Sequence, residues 1–206
     1  MFLLNSNLPN LSCKIRFIHA VSGAESYDIY ANGSLLASNV KFGTLTQYVN
    51  MAPDTYLIEL FKAGTYDNPI LKENITLLPS NVYTVSLVTN NSNLSLFSLK
   101  DAGSKTNSEI SFLRFINLSQ NSPLLTLSLK NSDPLFNEVE YLETTGYYPL
   151  SPGIYDFDLL FSDSNITTKT LNDVSLVPGE FETLYIIGLL KGEPQLGYII
   201  AKDGDK

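Results

Sequence analysis

The chain has one histidine, His19, and one cysteine, Cys13, and these are the first residues to weigh for chemistry. A Cys–His pair makes a nucleophile only when the imidazole lies within hydrogen-bond reach of the sulfur. On one extended strand six residues span about 20 Å at roughly 3.3 Å per residue, so no such dyad forms. His19 has a second prospective partner in Asp28, which a hairpin would bring back beside it, and Ser22 or Ser26 completes a triad on paper. The simpler expectation is that Arg16, His19 and Asp28 form a structural or binding polar cluster at a strand end and its loop, with no catalytic residue.

One cysteine and one histidine cannot supply a Cys/His zinc set or an internal disulfide, so no metal site and no cofactor are expected. Asp156 and Asp158 alternate to one face of a strand, with Asp163 five residues on. Calcium would need loop carbonyls and further carboxylates converging there. The Asp-Ser-Asn run at 163–165 lacks the glycine and distal glutamate of a calcium loop, and a solvated strand face is expected. Aromatic residues number 12 Tyr and 11 Phe with no Trp. Most fall at alternating, core-facing positions, with one each of Tyr27/Tyr30 and Tyr147/Tyr148 turned outward. That leaves a glycan as an open partner, with the cleft between two repeats as its site.

Of 206 residues, 13 are Lys or Arg and 21 are Asp or Glu, a net charge of −8. Phosphate binding needs clustered cations, so nucleic acid is excluded as a partner. Charged residues are 17% and hydrophobic ones 44%, which supplies a core and is too apolar for disorder. No apolar run approaches the roughly 18 residues of a membrane helix, so no membrane insertion is expected. The first twelve residues carry no Lys or Arg and their apolar run stops at Asn5, so no signal peptide is expected either.

The elements that must position these residues are strands. Hydrophobic periodicity is two almost throughout, in runs of β-branched and aromatic residues bounded by Gly, Pro, Asn, Asp and Ser. The first half predicts strands at 14–20, 26–31, 34–40, 45–50, 55–62, 70–77, 82–89 and 94–99. Asn32-Gly33 supplies the positive φ angles of a two-residue hairpin turn. The second half repeats the first at an offset of 98 to 102 residues. IRFIHA at 15–20 matches LRFINL at 113–118, pairing Arg16 with Arg114 and Phe17 with Phe115. ITLLPSNVYTVSLV at 75–88 matches VSLVPGEFETLYII at 174–187, and MAPDTYLIEL at 51–60 matches LSPGIYDFDL at 150–159. The endings SLKD at 98–101 and IAKD at 200–203 also correspond. These spacings predict an all-β chain of two tandem immunoglobulin-like antiparallel β-sandwiches. The expected division is an N-terminal extension at 1–12, repeats at 13–101 and 110–203, and a linker at 102–109.

The charge divides unevenly between the repeats. Residues 13–100 hold 6 basic and 6 acidic side chains, whereas 110–203 hold 5 and 12. Contact between unlike repeats would therefore avoid acid-on-acid repulsion.

The residues Arg16, His19, Ala20, Asp28, Gly33, Phe42, Gly43, Pro53 and Tyr56 occur in the order characteristic of a bacterial family, domain of unknown function 4397, which the chain resembles over both repeats. In the second repeat Asn117 stands for His19 and Thr126 falls opposite Asp28, and the Phe-Gly step is not recognisable. If His19 and Asp28 served chemistry, only one repeat could perform it. The resemblance implies tandem β-sandwiches at a bacterial surface and carries no activity, substrate or cofactor. The expected function is thus a non-enzymatic structural or adhesive module of a bacterial cell or spore surface, acting through protein partners or self-association. Cytoplasmic synthesis with deposition on a spore would need no signal peptide. Self-assembly could proceed by strand addition of the apolar start Met1 to Leu4 to a neighbour's sheet edge. A glycan or small-ligand module and a hydrolase using His19 are the rival expectations.

Overall fold

The computed structural model describes residues 12–104, 106, 109–130, 132–162 and 168–204. The N-terminal extension, apart from Ser12, and Asp163 lie outside the described residues. Within them the chain forms sixteen strands in two similar halves. The first holds β1 (Cys13–His19), β2 (Tyr27–Ala31), β3 (Ser34–Val40), β4 (Val49–Met51), β5 (Asp54–Lys62), β6 (Leu71–Leu77), β7 (Val82–Asn90) and β8 (Asn93–Asp101). The second holds β9 (Ser111–Asn117), β10 (Leu125–Leu129), β11 (Pro134–Val139), β12 (Tyr148–Leu150), β13 (Gly153–Phe161), β14 (Thr168–Leu176), β15 (Phe181–Ile187) and β16 (Gly197–Asp203).

Each half is a sandwich of two four-stranded sheets. The orders are β4-β1-β7-β8 over β3-β2-β5-β6, and β12-β9-β15-β16 over β11-β10-β13-β14. The two β-sandwiches are as expected, while their strand order differs from that of an immunoglobulin domain, in which the first, second, fifth and fourth strands share a sheet. Here β1 and β2 lie in opposite sheets. One pair in each half is also parallel rather than antiparallel: Lys14–His19 beside Val82–Leu87, and Phe112–Asn117 beside Phe181–Ile186. Turn residues and periodicity report local hairpins. A pairing between strands almost seventy residues apart leaves no local trace.

Burial along the strands explains the layering. In β3 and β6 buried and exposed positions mix, as expected for a sheet with one wet face, whereas β1 and β7 are buried on almost every residue. The same holds for β9 and β15. Cys13, Ile15 and Phe17 of β1 enter the first half's own core with Ile29, Ile58, Leu60 and Val85. The opposite face of β1, with Ile18, enters a different core, where it meets Val88, Ile116, Leu118, Tyr185 and Ile187. The inner sheets of the two halves therefore pack on each other, giving four layers and a third core between the halves.

The Asn32-Gly33 turn has φ angles of 47° and 79°, as the dipeptide predicted. Gly43 at φ 77° has its counterpart in Leu142 at φ 63°. His19 O accepts from Gly43 N, as Asn117 O accepts from Leu142 N. The Phe-Gly step of the first repeat thus reappears as Tyr141-Leu142, the same left-handed turn built on different side chains.

Candidate functional site

Strand alternation decides where the polar residues go. On β1 the core face takes Ile15, Phe17 and His19, so Arg16 must point the other way, toward the second half. The side chain is almost fully buried there and uses each guanidinium nitrogen. Nε donates to Thr84 Oγ1 at 2.8 Å, Nη1 to the Lys202 carbonyl at 2.7 Å and Nη2 to Asp203 Oδ1 at 2.5 Å. Arg114 repeats the arrangement in reverse. Its Nε donates to Thr183 Oγ1 at 2.8 Å, Nη1 to the Lys100 carbonyl at 2.9 Å and Nη2 to Asp101 Oδ1 at 2.5 Å. Arg114 Nη2 also reaches Asp203 Oδ2 at 3.3 Å. Each half thus contributes an arginine to the other's aspartate.

The carboxylates are further satisfied by hydroxyls. Tyr48 donates to Asp101 Oδ2 at 2.8 Å and Tyr147 to Asp203 Oδ2 at 2.7 Å. Thr84 donates to Asp101 Oδ2 at 2.5 Å, and Thr183 donates to Asp203 Oδ2. The Tyr48 and Tyr147 rings also lie under the guanidinium groups of Arg16 and Arg114, 4.4 and 4.7 Å from carbon to ring centroid. Burial alone would lower the Arg114 pKa, but Asp203, Tyr147 and Asp101 outweigh it and raise the group above its ordinary value. Burial and the nearby Asp101 push Asp203 upward against the pull of Arg114 and Arg16. Burial, then Asp101, raises Tyr48, and burial, then Asp203, raises Tyr147, so both stay protonated donors. With both arginines paired to buried carboxylates that the hydroxyls also satisfy, this is a lock between halves. Between the repeats, where a ligand site was expected, the lock lies beside an apolar core that includes Ile18, Val88, Ile116 and Tyr185.

Arg16, His19 and Asp28 do not form one cluster. His19 faces its own sandwich, where its ring stacks on Tyr27 at 5.0 Å. Its Nδ1 accepts from Val21 N at 3.2 Å and Nε2 lies 3.0 Å from the Glu25 carbonyl, so Nε2 carries the proton. Asp28 sits on the outer sheet, where Oδ1 accepts from Asn39 N at 2.7 Å and Oδ2 from Gly64 N at 2.8 Å. Asn39 has φ 51° at an irregularity in the β2–β3 register, and the carboxylate holds that bulge. The strand pleat separates the three residues, because positions 16 and 19 project from opposite faces of β1.

The second half does the same work with other residues. Asn117 Oδ1 accepts from Ser119 N at 3.0 Å, as His19 Nδ1 accepts from Val21 N. Thr126 Oγ1 accepts from Glu138 N at 3.0 Å, and Glu138 has φ 50°, as Asp28 accepts from Asn39 N. Asp156 and Asp158 are likewise engaged. Asp156 accepts from Lys130 Nζ at 3.1 Å and Asp173 N at 3.2 Å, and Asp158 accepts from Thr170 at 2.8 Å. Among the described residues no group of three or more His, Cys, Asp or Glu side chains is placed to hold a metal ion.

The lock residues Thr84, Asp101, Thr183 and Asp203 were missed as site residues, although the sequence carried their signal. Each is a polar residue at the same place in both repeats: Thr84 and Thr183 each lie in a mainly apolar strand, and Asp101 and Asp203 each close a Lys-Asp strand ending.

His19 makes one pH dependence testable. Burial lowers its pKa from the ordinary 6.5, with weaker opposition from hydrogen bonding at the Glu25 carbonyl. Below pH 6.5 the unfolded chain therefore binds a proton that the native chain does not, and stability falls as pH drops toward the native pKa. The expected contribution is at most about 1.4 kcal/mol per pH unit. His19→Asn, which imports the second half's residue, removes it. Glu182, raised by burial, acts in the opposite sense but equally in both proteins. Urea unfolding at pH 7.5 and 5.5 measures the difference, and equal pH slopes for the two proteins would refute it.

A family model described as Domain of unknown function (DUF4397) matches residues 13–128, which take in β1 to β9 and nearly all of β10. No curated protein matches the chain.

Proposed function

The chain belongs to the family described as Domain of unknown function (DUF4397), and from that premise we propose that it is a non-enzymatic structural or adhesive module of a bacterial cell or spore surface. The observation that carries this reading is the exchange of His19 and Asp28 for Asn117 and Thr126 with the same backbone amides held. Residues with acid–base capacity are replaced by residues without it, and the hydrogen bond is what persists. A catalytic role would demand the reverse. The inter-half lock supports the same reading, because it spends buried charges on rigidity between the two sandwiches.

Immunogold labelling of intact cells and spores tests the surface role, with label at the surface expected. Label confined to the cytosol would overturn it, as would ester or glycoside turnover by the purified chain that His19→Asn abolishes. One observation favours glycan binding as a second reading. Tyr30, Phe61 and Tyr66 pack with ring centroids 4.6 to 5.3 Å apart on the outer sheet of the first half, and Tyr66 is 54% exposed. A glycan array that gives binding lost in Tyr66→Ala would support that reading, and silence would favour the structural one.

A further inference from the structure

The lock is polar and symmetric, but the apolar surface around it is not. Equivalent positions carry side chains of different size: Ser86 and Tyr185, Ala20 and Leu118, Val88 and Ile187, Leu99 and Ala201. The first half is small where the second is large at Ser86, Ala20 and Val88, and large where the second is small at Leu99. Arg16, Thr84, Asp101 and Tyr48 recur as Arg114, Thr183, Asp203 and Tyr147, so hydrogen bonding alone would let either half pair with its own kind. Steric fit forbids that. Two second halves would put two Tyr185 rings into an interface built with one, and two first halves would put none there.

Two further facts point the same way. Among the described residues the hydroxyls of Ser86 and Tyr185 are the buried side-chain groups without a hydrogen-bond partner, so size rather than bonding distinguishes this position. The first repeat is neutral over 13–100 while the second carries 5 basic against 12 acidic residues, so pairing acidic halves would add repulsion.

We propose that the inner face of each half is a recognition surface whose partner is the unlike half of the same chain, and that the difference in size between Tyr185 and Ser86 decides which half is accepted. The arginine–aspartate exchange sets orientation and the size exchange sets identity.

The test uses the full chain with a protease site placed at 105–108. After cleavage the halves are expected to stay together as a 1:1 complex by native mass spectrometry. Unfolded in urea and refolded together with a mass-tagged cut copy, they should reassemble only into unlike pairs. Ser86→Tyr should weaken the complex at least tenfold, because it adds a second buried tyrosine to an interface already packed around Tyr185. Ser86→Tyr combined with Tyr185→Ser should restore it. Circular dichroism of each uncut variant establishes that the sheets are formed. Dissociation of the cut wild-type chain, like-with-like pairs, or a Ser86→Tyr complex as tight as wild type would each overturn the proposal.

Discussion

Asp203→Ala is expected to cost about 3–5 kcal/mol, because it leaves Arg16 buried without its closest carboxylate. For a chain of this size that corresponds to a fall in Tm of roughly 6–20 °C. The side chain of Asp203 accepts from Arg16, Arg114, Thr183 and Tyr147, so its removal strands several donors in an interface from which water is excluded. Arg16 keeps Thr84, the Lys202 carbonyl and a distant Asp101 at 4.0 Å. Those contacts reduce the loss without cancelling it. By contrast, Glu25→Ala breaks a pair with Lys62 whose partners are both more than half exposed, and its cost should not exceed about 1 kcal/mol. Replacing Arg16 by Met together with Asp203 by Leu should cost less than the sum of the single changes, since Arg16 is then not left buried without its carboxylate and Arg114 keeps Asp101. Urea unfolding of wild type, Asp203→Ala, Glu25→Ala, Arg16→Met, Asp203→Leu and the double replacement decides the matter. A loss near that of Glu25→Ala would mean that the interface admits water and that the lock contributes little.

Phe115→Ala should cost about 3–5 kcal/mol by removing a fully buried ring from the second half's core, where it stacks on Phe136 at 6.0 Å. The consequence is expected to reach the first half. Ile18, Val88, Ile116 and Tyr185 form a continuous core across the halves, and the reciprocal arginine–aspartate pairs fasten its polar side. Separating the sandwiches exposes that core and unpairs four charges, so neither half should unfold alone. Hydrogen exchange read by mass spectrometry checks this directly. In Phe115→Ala the amides of β2 and β5, which touch neither Phe115 nor the interface, should exchange faster by the same factor as those of β9 and β15. Acceleration confined to the second half would show that the halves unfold independently.

These effects arise from residues whose positions were partly legible in the sequence. The first-half strands follow the alternation of apolar residues closely, because a pleat sends neighbours to opposite faces and a wet outer sheet keeps that pattern clean. The Asn32-Gly33 turn was legible because positive φ angles restrict the residue types that adopt them. The pairing of Arg16 with Arg114 and of the two Lys-Asp endings was visible as repetition. Their meeting across the molecule was not, since a repeat shows that two positions are equivalent and says nothing about whether they touch. Arg16, His19 and Asp28 misled for the same reason. Proximity in sequence suggested a cluster, whereas the pleat and the two-sheet layering send the three to an interface, a core and a bulge.

The sequence by itself determined an all-β chain, its repetition in two halves and most strand positions, since these depend on short-range periodicity and turn chemistry. Tertiary structure alone decided the parallel pairing of β1 with β7, the strand order, and the packing of inner sheet on inner sheet. Those are contacts between distant segments, chosen by which faces can be dried together. The arginines show the difference most plainly. As residues they offered a binding cluster, and only the opposing half, supplying aspartate, threonine and tyrosine to each, made them a fastening.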